Sequence, residues 1–138
     1  MIIQCTKKLF DELKIEPAHE VDEKETNPLL AWHANSLKIG RQKFIVLVND
    51  KNRYAIVLYG LKAKDKKHFD TLVKEAISEV FQAESIKDEV IEDYLQATSA
   101  MVYDKTRDRK LVARLNKACE AVHFAEDLWD PSSSFKWR

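Results

Sequence analysis

The fold is decided by one stretch, Ser36-Leu37-Lys38-Ile39-Gly40-Arg41-Gln42-Lys43-Phe44-Ile45-Val46-Leu47-Val48-Asn49-Asp50-Lys51-Asn52-Arg53-Tyr54-Ala55-Ile56-Val57-Leu58-Tyr59-Gly60. Leu37 and Ile39 alternate with Ser36 and Lys38, the two-residue period of a strand. Gly40 offers the positive φ of a tight turn. Residues 44–48 form an unbroken apolar run rich in β-branched residues, as in a strand buried on both faces. Asn49-Asp50-Lys51-Asn52 gathers turn formers, residues 54–59 read as a returning strand, and Gly60 ends it. Loops this short join antiparallel neighbours, so the stretch predicts a central antiparallel meander.

Outward from the meander, residues 1–6 read as a first strand with Ile3 and Cys5 on one face. Thr6 is placed to cap a short helix that carries Leu9, Phe10 and Leu13 on one side. Residues 16–28 are acidic, with only Val21 as a large aliphatic, and read as a mobile loop. Beyond the meander, Phe69, Leu72, Val73, Ala76, Ile77, Val80 and Phe81 keep the helical period and predict a helix over 66–83, with Asp65 as its N-cap. Ser85 and Asp88 resemble a capping box that would start a second helix with Val90, Ile91, Tyr94 and Leu95 inward. Residues 99–103 read as a short strand. Asp108 is placed to cap a last helix that buries Leu111, Val112, Leu115, Ala118, Cys119 and Val122. Pro131 and three serines mark a loose tail over 130–138.

This order has too few βαβ alternations for a doubly wound sheet. The expected class is α+β: a mostly antiparallel four- to five-stranded sheet with a central meander, covered by about four helices, in one domain spanning 1–138. At 138 residues, 45% hydrophobic and 33% charged, the chain has the balance of a globular domain rather than a disordered one. No apolar run approaches the roughly 20 residues that span a bilayer, so no membrane partner is expected. Residues 1–6 run straight into Lys7 and Lys8 without the order of a secretory signal. Two cysteines are too few for a disulfide scaffold. The expected compartment is the cytoplasm.

Net charge is zero, yet the charges are segregated. Residues 38–74 carry a net of +7, residues 75–104 a net of −7 and residues 105–117 a net of +5. Either the blocks neutralise one another in the fold, the reading the sequence favours somewhat, or a basic patch meets an anion. Zero net charge also favours self-association into a homo-oligomer.

Much familiar chemistry is excluded. Two glycines, Gly40 and Gly60, cannot build a phosphate-binding glycine loop or a dinucleotide fingerprint. No nucleophile elbow, His-Glu-x-x-His helix or paired Cys-x-x-Cys occurs. Cys119 and His123 stand one helical turn apart, but zinc needs three or four ligands, and Cys119 fits the apolar stripe as an ordinary buried thiol. No metal and no cofactor are expected.

Two polar clusters remain. Trp32-His33-Ala34-Asn35 leads into the meander; His33 could do acid–base work there, or Trp32 could plug the core while Asn35 bonds loop backbone. Lys105-Thr106-Arg107-Asp108-Arg109-Lys110 precedes and opens the last helix. Helix starts favour anions, so cations gathered there ask for a reason: a phosphate or carboxylate cradle, or pairing with the acids of 75–104.

The same residues carry a resemblance. Trp32-His33-Ala34-Asn35 with Arg41 and Val46-Leu47-Val48-Asn49, then Lys105-Thr106 with Arg109 and Asn116, make the chain similar to a family of small bacterial proteins of unknown function. Relatives commonly hold a glycine where Ala113 stands, which implies looser packing of the last helix here. The resemblance implies relatedness and no reaction. The expected function is a binding module for an anionic partner, nucleic acid or a phosphorylated ligand, through His33, Asn35, Arg41, Lys105, Thr106, Arg107, Arg109 and Asn116. Its rivals are an enzyme with a pocket of His33, Asn35, Arg41, Thr106 and Arg109, and a structural protein-interaction domain.

Overall fold

The structure is a computed structural model, and it describes residues 1–15, 28–39, 42–59, 67–97, 101–106 and 108–126. In chain order the elements are β1 (Ile2–Cys5), α1 (Lys7–Leu13), a 3₁₀ turn (Pro28–Leu30), β2 (Ala31–Ile39), β3 (Gln42–Asn49), β4 (Ala55–Tyr59), α2 (Phe69–Ala83), α3 (Asp88–Gln96), β5 (Val102–Lys105) and α4 (Arg109–Glu126). The five strands form one sheet in the order β4-β3-β2-β1-β5. The class is α+β.

The meander is present. Trp32 pairs with Asn49 and Ile39 with Gln42 across β2 and β3, and Phe44 pairs with Tyr59 across β3 and β4, all antiparallel. The rest of the sheet corrects the expectation. β1 runs parallel to both of its neighbours, with Cys5 opposite Ala34 on one side and opposite Lys105 on the other. The sheet is therefore mixed, with its longer joins antiparallel. The physical cause is α1: a helix between β1 and β2 reverses the chain once more than a hairpin does, so the two strands point the same way. A second correction concerns β2, which begins at Ala31. Trp32, His33, Ala34 and Asn35 therefore lie inside a strand, not in its approach.

Alternation along the strands creates two unequal cores. One face turns Ile3, Cys5, Trp32, Ala34, Ile45, Leu47, Ile56, Leu58 and Tyr103 toward α1, α2 and α3. The other turns Val46 and Val48 toward Leu115 and Cys119 of α4. Thr6 caps α1 by accepting from Leu9 N at 3.4 Å, and Asp108 Oδ1 caps α4 by accepting from Lys110 N and Leu111 N. The capping box does not form. Ser85 closes α2 in the left-handed region at φ 61°, and α3 starts after Lys87 with no side-chain cap. Ile91 is buried and Tyr94 and Leu95 pack against the same core, as expected, while Val90, 54% exposed, is the member of the expected stripe that faces out. The last strand is shifted two or more residues C-terminal to the expected 99–103. Ala113 is exposed on α4 and has no part in its packing. Asp65, the loop at 16–27 and the tail at 130–138 lie outside the described residues.

Candidate functional site

The chain crosses from one face of the sheet to the other at the ends of β1 and β5. After β1 it enters α1 on the large-core face; after β5 it enters α4 on the opposite face. Both strands are parallel and adjacent, so their carboxyl ends open a crevice between diverging connections. Such topological switch points are where open sheets bind ligands. A cleft of about 780 Å³ lies here, lined by Cys5, Lys7, Phe10, Asp11, Lys14, Ile15, Lys105 and Thr106. Phe10 and Ile15 supply apolar wall; Lys7, Lys14 and Lys105 supply three ammonium groups against the single carboxylate of Asp11. Lys14 holds the left-handed helix cap at φ 55°, its N–H on Phe10 O, a position where glycine is usual. Cys5 borders the cleft as an inert thiol: burial, with the nearby Asp104 charge adding, pushes it up to about 12.

The sequence clusters meet only partly. Lys105 and Thr106 belong to the cleft. Thr6, which directly follows β1, donates to Asn35 Oδ1 of β2 at 2.6 Å, and Thr106 directly follows β5, the neighbour of β1 on its other side. Asn35 Oδ1 also accepts from Ser36 N at 2.8 Å. Arg109 and Asn116 are exposed on α4. Arg41 and Arg107 lie outside the described residues.

His33 is engaged elsewhere. It lies on the α4 face, paired in register with Gln4 of β1 and Val48 of β3. Its Nδ1 stands 2.7 Å from Asp50 Oδ1, with 1% of the His33 side chain and 11% of the Asp50 side chain exposed. Gln4 Nε2 donates to Asp50 Oδ2 at 3.0 Å and also reaches Trp32 O at 3.5 Å. Its 3.3 Å approach to Nδ1 joins two donors when that nitrogen carries the ring proton, so the network reads Gln4 to Asp50 and His33 to Asp50. His33 Nε2 is buried with no partner. Gln4 and Asp50 were missed as site residues. The available signal was parity: Gln4 breaks an apolar strand on the face opposite Ile3 and Cys5, and Asp50 follows Val48 by two.

The acids of α2 and α3 and the cations of α4 do not neutralise one another, although Lys74 of the first basic block lines one shallow groove with Asp88 and Glu92. Glu79, Asp88, Glu89, Glu92 and Asp93 belong to α2 and α3 on one face of the sheet, whereas Arg109, Lys110, Arg114 and Lys117 belong to α4 on the other. Among the described residues no group of three or more His, Cys, Asp and Glu side chains comes together as a metal would need. Cys119 is buried and His123 exposed. No described helix is long and apolar enough to cross a membrane.

Fold and cleft together define an α+β domain with a basic crevice at a sheet switch point. The chain belongs to the family described as a domain of unknown function, DUF6933, whose pattern covers residues 2–136. No curated protein and no solved structure matches it.

Proposed function

We propose that this domain is a binding module for a small phosphorylated or carboxylated ligand, held in the cleft beyond β1 and β5. The observation that carries the reading is the convergence of Lys7, Lys14, Lys105 and the Thr106 hydroxyl on one cleft at the switch point. Its volume lies within the range of roughly 300–1,000 Å³ typical of small-molecule sites, which favours a small anion over a polymer. Phe10 and Ile15 suit an apolar body behind the anionic end. Lys14 supports the same reading, because a lysine in a left-handed cap costs backbone energy that glycine would not. The two free, buried thiols fit a cytoplasmic domain, and the bacterial origin rests on the family resemblance.

The test is titration of isotope-labelled protein with inorganic phosphate and pyrophosphate. Saturable shifts of the Lys7, Lys14, Lys105 and Thr106 amides are expected, abolished by Lys105→Glu and kept in Lys117→Glu. A response equal in wild type and Lys105→Glu, or none at the cleft, refutes the reading.

A further inference from the structure

α2 and α3 together hold seven acids against Lys74 alone, whereas residues 109–117 of α4 hold four cations and no acid. The five-stranded sheet lies between them, with α2 and α3 over the larger core and α4 over the smaller. No side-chain rotation brings the two sets together in one copy. A second copy can. Each surface has a shape as well as a charge. A groove of about 430 Å³ runs between α2 and α3, with Asp88 and Glu92 on one side, Lys74 on the other, and Ile91 and Leu95 as apolar surface. Asp88 and Glu92 are exposed and Lys74 is half-buried, so the groove presents net negative charge. On α4, Lys110, Arg114, Lys117, Ala121 and Phe124 recur at i, i+4, i+7, i+11 and i+14, one stripe along the helix. Lys110, Lys117 and Ala121 are exposed, and Phe124, 73% exposed, sets a large apolar side chain on the same line as the cations. A helix laid into a groove by residues of this spacing is a recurrent mode of recognition.

We propose that the groove between α2 and α3 of one copy receives the basic stripe of α4 of another, so that the domain associates head to tail with itself. Charge complementarity selects the occupant: Lys110, Arg114 and Lys117 answer Asp88 and Glu92, and Phe124 adds apolar contact. The zero net charge of the chain leaves no overall repulsion between copies. The two surfaces lie on opposite faces of the sheet. A first contact therefore leaves a free groove at one end and a free α4 at the other, and the association is open-ended. Nothing in this contact uses the lysines of the anion cleft.

Sedimentation over a range of protein concentrations, at low and at high salt, tests this. At low salt the weight-average mass of wild type should rise with concentration past that of two chains. At high salt it should return to that of one chain, since exposed charges are then screened within about 3 Å. Arg109→Glu/Lys110→Glu/Lys117→Glu gives both surfaces the same sign, and so does Asp88→Lys/Glu92→Lys. Each should sediment as one chain while its amide spectrum stays folded. One chain carrying both sets of reversals should associate again at a net charge close to zero, which separates the paired surfaces from overall charge. Glu92→Lys alone leaves the start of α3 intact and should weaken association in the same direction, should the double variant unfold. A wild type that stays a single chain at low salt overturns the proposal. So does association that stops at two chains, that either set of reversals leaves unchanged, or that the combined variant does not regain. A basic protein other than this chain would then be left as the occupant of the groove.

Discussion

Lys38 and Lys43 stand directly opposite each other across β2 and β3, at the end of the sheet where β1 and β5 also finish. Both are exposed. Like charges in this position destabilise a strand pair, so the hairpin carries a repulsion that the fold does not require. Lys38→Glu should turn it into an attractive pair and raise stability by about 0.2–1 kcal/mol. Denaturant melts at low salt should show the gain, and high salt should shrink it. The same substitution should weaken phosphate binding at the cleft, since it removes positive potential from that end of the molecule.

Ile77 and Leu115 are both fully buried, one in each core. Ile77 sits in the larger cluster with Phe69, Val73 and Phe81. Ile77→Ala should cost about 2–5 kcal/mol, a large share of a typical domain stability of roughly 5–15 kcal/mol. Leu115→Ala should fall toward the lower end of that range, because the smaller core beneath α4 relaxes more easily. Chemical melts of both variants give the comparison, and an Ile77→Ala curve that overlays wild type would contradict the packing.

The meander and the helical stripes were legible because hydrophobic period reports directly on one buried face. The parallel placement of β1 was not. Ile2–Cys5 has the same alternation whether its neighbour runs up or down, and the long segment after α1 hides how the chain returns. The start of β2 was missed because His33 and Asn35 are polar, yet in a sheet covered on both faces polar side chains pair internally: His33 with Asp50, Asn35 with Thr6. Ser85 and Asp88 misled for a local reason. Ser85 ends α2 in a left-handed conformation, with its N–H on Gln82 O, so it cannot also open α3. The clusters around His33 and Thr106 were both visible in sequence, but their separation was not, since only strand parity and neighbour order assign them to different sites.

Alkaline pH should unfold this domain through its buried acids. The Cys5 thiol ionises near 9.0 in the unfolded chain and is pushed up to about 12 by burial and the Asp104 charge. Between those values the unfolded state has lost a proton that the folded state keeps. Stability therefore falls as pH rises, by up to about 1.4 kcal/mol per pH unit for one such group. Burial also raises Tyr94 and Tyr103, the latter further through its hydrogen bond to Asp70, so the fall should steepen above their usual range. Cys5→Ala should flatten the first part of the decline in melts taken from pH 8 to 11. Cys5 should also resist thiol reagents at pH 8 in the folded protein and react promptly in denaturant.

The separation of acidic and basic helices makes the nucleic-acid alternative decidable. Lys110, Arg114 and Lys117 follow one another at helical spacing on α4, with Arg109 at its first turn, and the acids of α2 and α3 are on the far side of the sheet. Reversing Arg109, Lys110 and Lys117 to Glu removes no partner from those acids within one copy. Surface charges of this kind contribute about 0–1 kcal/mol each, so the triple variant should melt close to wild type. If α4 bound a phosphate backbone, wild type would bind single-stranded or duplex nucleic acid with an affinity that falls steeply between two salt concentrations, and the triple variant would lose both binding and salt slope. A small-anion site at the cleft gives a different result: negligible nucleic-acid binding by both proteins, with phosphate titration intact in the triple variant and lost in Lys105→Glu. We expect the second pattern, because the cleft gathers its lysines around a volume of about 780 Å³, whereas Arg109, Lys110 and Lys117 lie exposed along α4.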